Sequence, residues 1–506
     1  MSANRILSGY EPANVLSFFE DICAIPHVSG DERAIADYVE NFARQRGLFC
    51  YRDHVHNVFI KLPASQGHES APAVMLQGHT DMVGEKTADS DHDFATDGLK
   101  LRVDKNGWIS ATDTTLGGDD GVAVAMMLAI LDSPPEPHPA MECLFTVSEE
   151  TGLEGAWAFD PAAAGATART MINLDSEAEG VLTAGCSGGM RTDITVPVAC
   201  EPAEGIAVKV TLDGFTGGHS GVEIHEGHTN AIKVMGRLLN AVNMGGIGFR
   251  LISINGGGKD NAIPRDCEAV VMVENNTKDV GGKELVAEIF CHEMEREAEK
   301  LSKEPNMIPA DKSFTCTAEI LPESPALYMD DKSTFAVLSL LTLVRDGVLS
   351  MSAHVKGLVA HSRNLGIVKT VTDGEGKPAA VKFSMSTRSA SNSHLDDSER
   401  ELATLAMICG GDATHRARYP GWDYAPVSPL RDLWTKVSER MYGVTPRVEV
   451  IHAGLECGIL CDKLGEMDII SVGPDMKDIH TPREMLSIPS VERTYRLICE
   501  TIRELA

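Results

Sequence analysis

Four short apolar runs in this chain each lead into an acid or a histidine. Val74-Met75-Leu76 runs into His79 and Asp81, Phe145-Thr146-Val147 into Glu149 and Glu150, and Ile172-Asn173-Leu174 into Asp175. The fourth, Ser471-Val472, enters a loop that ends at His480. Runs of this kind read as buried strands, and open α/β sheets gather their ligands at strand ends. One sheet edge then collects many carboxylates with little countercharge, an unfavourable arrangement unless a cation sits there. Two histidines and three or four carboxylates suit a pair of divalent ions, zinc first and manganese or cobalt second. Calcium fits poorly, because it prefers oxygen ligands to imidazole.

The individual residues allow more than one reading. His79 and Asp81 are two apart and point the same way from an extended chain, so His79 can bind a metal while Asp81 holds its imidazole from behind. Asp119 follows Thr115-Leu116-Gly117-Gly118 and precedes an apolar helix. It stands where an N-cap carboxylate would stand, or where a ligand would be held on a glycine-rich turn. Glu149 and Glu150 are adjacent at a strand end, where neighbours face opposite sides. One can bind metal while the other faces a substrate.

Bulk properties narrow the function classes. The 506 residues exceed what one core usually holds, so at least two domains are expected. A formal net charge of −29 argues against nucleic acid or an anionic membrane as partner. No apolar run is long enough to span a bilayer, and the first residues show no apolar signal core. Twelve cysteines without a Cys-x-x-Cys pair fit reduced thiols in a cytoplasmic protein. Cys186 and Cys457 lie near motifs, but no activating base marks either as a nucleophile.

Along the chain, residues 12–48 read as two helices broken at Pro26 and Gly30. Strands at 58–62, 73–77, 142–147 and 170–174 alternate with a helix at 121–131, which predicts an α/β sheet. After Gly185-Cys186-Ser187-Gly188-Gly189 the texture changes. Amphipathic strands at 206–213, 248–255 and 268–274 and helices near 230–243 and 283–303 predict an inserted α+β layer. A second strand and helix set follows over about 318–390. From about 395 the α/β texture returns, with helices at 398–409, 429–442 and 489–505 and strands at 448–451 and 468–472.

The motifs GHTDMV, TTLGGDDGVA, SEETGLEGA, INLDSE, GGHSG, GGGKDNAIPR, HAGLECG and DIHTPRE run through nearly the whole chain. In these motifs, and in their order, the chain resembles the co-catalytic zinc metallopeptidases that include carnosinases, aminoacylases and bacterial di- and tripeptidases. Within them it is similar to the aminoacyl-histidine dipeptidases (Xaa-His dipeptidases, peptidase D of bacteria). The resemblance implies a two-domain α/β metallopeptidase. Its catalytic domain would be formed by about 1–187 and 396–506, with an inserted α+β lid at about 188–395. It implies that His79, Glu150, Asp175 and His480 are terminal metal ligands, that Asp119 bridges both metals, and that Asp81 orients His79. Glu149 would be the general base, and the peptide after the bridging aspartate, Asp119–Asp120, would be cis. His219 would be the lid histidine that polarises the scissile carbonyl, with Asn261, Arg388 and the Gly454 backbone positioning substrate.

The expected reaction is hydrolysis of a dipeptide, Xaa-His such as carnosine, by metal-activated water. Glu149 takes the proton and passes it to the leaving amine, and Arg388 pairs with the substrate carboxylate. An N-acyl amino acid deacylase or a tripeptidase of the same family is the nearer alternative. A metal-binding protein without catalysis is the alternative from another class. The expected partners are a small peptide and, as an option, a second copy of the chain in a homodimer, but neither nucleic acid nor membrane. His225, His228, His361 and His452 are read as solvated or structural.

Overall fold

The computed structural model describes residues 5–202, 205–273, 282–323, 325 and 327–506. The chain divides into two compact units. The first is Met1–Cys186 with Trp422–Ile451 and Leu455–Ala506, and the second is Ser187–Gly421 with His452–Gly454.

The first unit is built on a mixed sheet of eight strands among the described residues. Their order is Phe49–Arg52, Val58–Leu62, Met141–Thr146, Val74–His79, Thr170–Asn173, Asp468–Ser471, Val181–Cys186 and Arg447–Ile451. Val74–His79 runs parallel to both of its neighbours, and Asp468–Ser471 runs parallel to Thr170–Asn173. Four chains therefore leave the sheet at the same edge. The strand Val74–His79 is buried at every residue, as an apolar run covered on both faces should be. Leu76, Ile172 and Ile470 face one core, with the helices Ala13–Cys23, Arg33–Gln45, Gly118–Asp132, Pro429–Tyr442 and Ile488–Glu504. Met75, Met171 and Ile469 face the other, with Glu456–Leu464. The helix Gly118–Asp132 is buried from Gly118 to Leu131, and apolar all round from Gly121 to Leu131.

The second unit is α+β. A nine-stranded antiparallel sheet, counted among the described residues, carries the order Thr315–Ile320, Ile206–Asp213, Cys267–Val273, Phe249–Gly256, Val359–Thr372, Pro378–Ser389, Gly188–Pro197 and Asp412–Tyr419, with Gly347–Met351 paired to Val359–Thr372. Its core takes side chains from the helices Ala231–Met244, Gly282–Ser302, Asp331–Leu343 and Asn392–Ile408. A separate two-stranded ladder pairs Gly218–His219 with Ala262–Ile263.

The strand expected at 268–274 is described through Val273, and Glu274 lies outside the described residues. The second unit's sheet runs on past residue 395, because Asp412–Tyr419 pairs with Gly188–Pro197. No helix among the described residues is long and apolar enough to cross a membrane. All twelve cysteines are free.

Candidate metal centre

Each of the four chains leaving the common sheet edge delivers its acid or histidine to one place. His79 ends its strand and is 1% exposed. Its Nε2 lies 3.1 Å from Asp119 Oδ1 and 3.6 Å from Asp175 Oδ1. On the other side of the ring, Nδ1 lies 3.3 Å from Asp81 Oδ1. His480 Nε2 lies 3.1 Å from Asp119 Oδ2 and 2.8 Å from Glu150 Oε1. Ligand atoms of His79, Asp119 and Asp175 fall within 4.8 Å of one another, and so do those of Asp119, Glu150 and His480. Asp119 belongs to both groups and turns one oxygen to each. A third grouping joins His79, Glu149 and Glu150.

Asp119 does not cap the helix. Gly117 takes a left-handed conformation, and Asp119 and Asp120 are non-helical, at ψ 105° and ψ 29°. The peptide between the two aspartates is cis. The Asp119 carboxylate meets imidazoles, with no hydrogen bond to the helix N-terminus, so the capping reading is overturned.

The pleat does not separate Glu149 from Glu150 either. Their strand stops at Thr146, and the two glutamates sit in a turn entered through Ser148 at φ 51°. Asp81 holds this turn by accepting the Glu149 N–H at 3.0 Å and the Glu150 N–H at 3.3 Å. Glu32 steadies it from below, accepting from the N–H and hydroxyl of Ser148.

The donor set fits metal. A ring Nε2 can present one proton, yet each of these faces two carboxylate oxygens. Glu150 Oε1 is buried beside His480 without hydrogen-bond geometry to it, as expected of two donors aimed at a common point between them. The charge balance agrees. Asp119 and then Glu150 push the His480 pKa up to about 10. Burial lowers His79, but Asp119, Asp175 and Asp81 outweigh it and hold the ring well above its ordinary value. Burial, with the charges of Asp119 and Glu150, pushes Asp175 up to about 7. The cluster is stabilised by added positive charge, which divalent ions on nitrogen and carboxylate donors supply.

Comparisons with known proteins place this geometry. Residues 57–187 match peptidase family M28, and residues 210–290 match the peptidase dimerisation domain of family M20. The cytosol non-specific dipeptidase of Escherichia coli K12 is 35% identical over 504 residues, 99% of each chain. The chain belongs to the M20 family of metallopeptidases, with the dipeptidases. The crystal structure of the aminoacylhistidine dipeptidase of Vibrio alginolyticus matches with a TM-score of 0.88 at 32% identity, over 99% of this chain and 98% of that one. A Staphylococcus aureus tripeptidase shares the fold, with a TM-score of 0.55 at 15% identity over 97% and 98% of the two chains. This M20 chain is thus a hydrolase of peptide bonds.

In the second unit of this metallopeptidase, the ladder Gly218–His219 with Ala262–Ile263 brings His219 beside Asn261, whose carbonyl accepts the Ser220 N–H at 2.9 Å. His219 Nδ1 accepts the N–H groups of Gly221 and Val222, both at 3.2 Å. The ring proton therefore belongs on Nε2, which is left as a donor. Burial, then Arg388, lowers the His219 pKa and keeps the ring neutral. Arg388 is 7% exposed near the end of Pro378–Ser389.

Two buried glutamates of this M20 peptidase carried no signal of their own in the sequence. Glu484 is 3% exposed, and its carboxylate accepts backbone N–H groups of Leu116 (2.7 Å), Gly117 (3.2 Å), Gly118 (2.7 Å) and Asp119 (3.4 Å). It anchors the whole turn that presents Asp119. Glu456 is fully buried and accepts from Gln77 and Thr146, both at 2.6 Å. Both glutamates lie inside motifs, DIHTPRE and HAGLECG, in which histidine or glycine drew the attention. His452 bridges the hydroxyls of Ser187 (2.7 Å) and Ser362 (2.6 Å), a structural role that agrees with its expected one. The thiols of Cys186 and Cys457 are buried and their pKa values are raised by that burial, which suits inert packing.

Proposed function

We propose that this chain is a dinuclear dipeptidase that cleaves unblocked dipeptides, Xaa-His dipeptides such as carnosine among them. The observation that carries the reading is the pair of ligand groups sharing Asp119, with the Glu149 carboxyl beside them. Zinc is the proposed metal at both positions, with manganese or cobalt second, since two imidazoles and three carboxylates suit a borderline ion. His79 and Asp175 would hold one ion, Glu150 and His480 the other, and Asp119 both. Bound there, divalent ions polarise a carbonyl and acidify water.

The remaining steps belong to side chains of this protein. Glu149 is the general base. Burial first, and the charge of Asp175 second, raise its pKa and so make the carboxylate a stronger base, which takes a proton from water and returns it to the leaving amine. His219 donates from Nε2 to the carbonyl oxygen as charge develops there. Arg388 pairs with the free carboxylate of the substrate, while Asn261 and the Gly454 backbone position the peptide. The names of the two full-length relatives, one a non-specific dipeptidase and one an aminoacylhistidine dipeptidase, support dipeptides as the substrate class.

The domain reading, a catalytic part of about 1–187 and 396–506 and a lid of about 188–395, is proposed with its second bound moved from 395 to Gly421, where the second compact unit ends. A cytoplasmic location is supported by the name of the cytosolic relative. A homodimer is supported by the dimerisation-domain match at 210–290. The test is metal analysis and a screen of dipeptides, tripeptides and N-acetyl amino acids on one sample. The reading expects two ions per chain and fastest cleavage of dipeptides. A preference for N-acetyl substrates would replace it with a deacylase, and hydrolysis that survives complete metal removal would overturn it.

A further inference from the structure

Arg388 lies opposite Gly189 where Pro378–Ser389 pairs with Gly188–Pro197. On the far side of the same glycine, Asp412–Tyr419 brings Tyr419 into register with Gly189. The sheet thus reads Arg388, Gly189, Tyr419 across three neighbouring strands. The register of the third strand shifts between Arg416 and Tyr419, and Ala417 there takes φ 48°. A bulge of this kind re-aims the side chain that follows it.

The re-aimed ring fills space that side chains would otherwise occupy. A Cβ on Gly189 would meet Tyr419 Cζ and the phenol oxygen at 2.6 Å. A Cβ on Gly454 would lie 2.9 Å from Tyr419 Cε2. Both positions need glycine for the ring to lie where it does. The phenol oxygen reaches Arg388 Nη1 at 3.3 Å. Arg388 Nε is buried and has no hydrogen-bond partner. A phenol that accepts from a guanidinium keeps its own proton to donate. The phenol O–H and the Arg388 N–H groups together offer what a carboxylate accepts.

We propose that Tyr419 is a specificity-determining residue, which reads the free carboxylate of the substrate jointly with Arg388 across the gap left by Gly189. The inference rests on the proposed role of Arg388. It adds that the guanidinium does not read the carboxylate alone, and that Gly189 and Gly454 are small in order to admit the tyrosine ring.

The experiment compares a dipeptide with its C-terminal amide in wild type, Tyr419→Phe, Arg388→Ala and the double variant. kcat and KM are determined separately, and metal content and Tm serve as controls for folding. Tyr419→Phe removes one oxygen and keeps the ring. It should raise KM for the free dipeptide about tenfold, the scale of one hydrogen bond to a charged group, while changing kcat and the amide little. The double variant should be little worse than Arg388→Ala alone, because the two groups act as a unit. If Arg388→Ala loses the preference for the acid and Tyr419→Phe keeps the wild-type KM, the tyrosine inference is overturned while the Arg388 reading stands. If Arg388→Ala keeps the preference, the reading beneath the inference falls, and joint recognition falls with it.

Discussion

Asp81 stands directly behind His79, with its Oδ1 3.3 Å from Nδ1, and the same carboxylate accepts the backbone N–H groups of Glu149 and Glu150. Asp81 therefore fixes a proposed ligand ring, through its main-chain carbonyl at 3.0 Å from Nδ1 as well as its carboxylate. Its side chain fixes the turn that carries both the proposed base and a second ligand. Ser29 completes its hydrogen bonding at 2.8 Å.

Asp81→Ala should loosen both at once. Outer-sphere partners of metal-binding histidines are worth about 10–100-fold in affinity or activity. Because the turn is released as well, we expect the upper end of that range. Titration of the apoprotein with zinc, beside steady-state rates on one dipeptide, measures it. Wild-type affinity and rate in Asp81→Ala would remove the orienting role.

Asp119 turns an oxygen to each histidine. Asp119→Ala should lower the metal content below that of wild type and abolish activity, because both ligand groups lose a shared member. Full metal content with full turnover would refute the bridging assignment.

Glu149 and Glu150 are neighbours with different surroundings. Glu150 Oε1 lies 2.8 Å from His480 Nε2, whereas the Glu149 carboxyl is part-buried and desolvation raises its pKa. Glu149→Gln should keep the metal and lose about 10²–10⁴-fold in kcat, the usual contribution of a positioned base. Glu150→Gln should instead weaken metal binding. Equal loss of metal in the two variants would show that the base is misassigned.

Much of this centre was legible because strand ends are a local property. The apolar runs before His79, Glu149, Asp175 and His480 are visible as runs, and parallel pairing carries their ends to one edge. Strand bounds at 58–62 and 206–213 and helix bounds at 429–442 were also readable, because hydrophobic periodicity sets them. What escaped was set by contacts distant in sequence. The separation of Glu149 from Glu150 depends on a turn with Ser148 at positive φ, and no periodicity encodes that. The role of Asp119 was ambiguous until His79 and His480, 40 and 361 residues away, were seen on its two oxygens. Glu484 meets backbone groups 365 to 368 positions earlier, so nothing in its neighbourhood announced it.

Glu484 is accordingly a sharp test of how the Asp119 turn is held. Four N–H groups converge on one carboxylate, and Gln can accept through one oxygen only. Glu484→Gln leaves donors without a partner, which costs about 1–3 kcal/mol for a buried group. The expected result is a lowered urea midpoint and weaker metal retention together. A variant with lost stability and unchanged metal affinity would confine Glu484 to a structural part.

In the second unit, Arg363 is completely buried, and Glu401 accepts from its Nη2 at 3.0 Å and from Arg345 Nε at 2.9 Å. Burial opposes the Glu401 charge, but the two arginines overcome it and hold the carboxyl pKa at about 2. The folded-state pKa is depressed, so the pair's contribution is fully present above the unfolded-state value of about 4.3 and is lost as pH falls toward about 2. Glu401 keeps 29% of its side chain exposed while Arg363 keeps none. The pair therefore lies between exposed pairs and buried ones, and removing its charge should cost about 2 kcal/mol at neutral pH. Glu401→Gln should lower the urea midpoint at pH 7, and the gap from wild type should narrow as pH drops below about 4.3. A gap that stays constant down to pH 3 would mean that the loss comes from packing and not from the charge on Glu401.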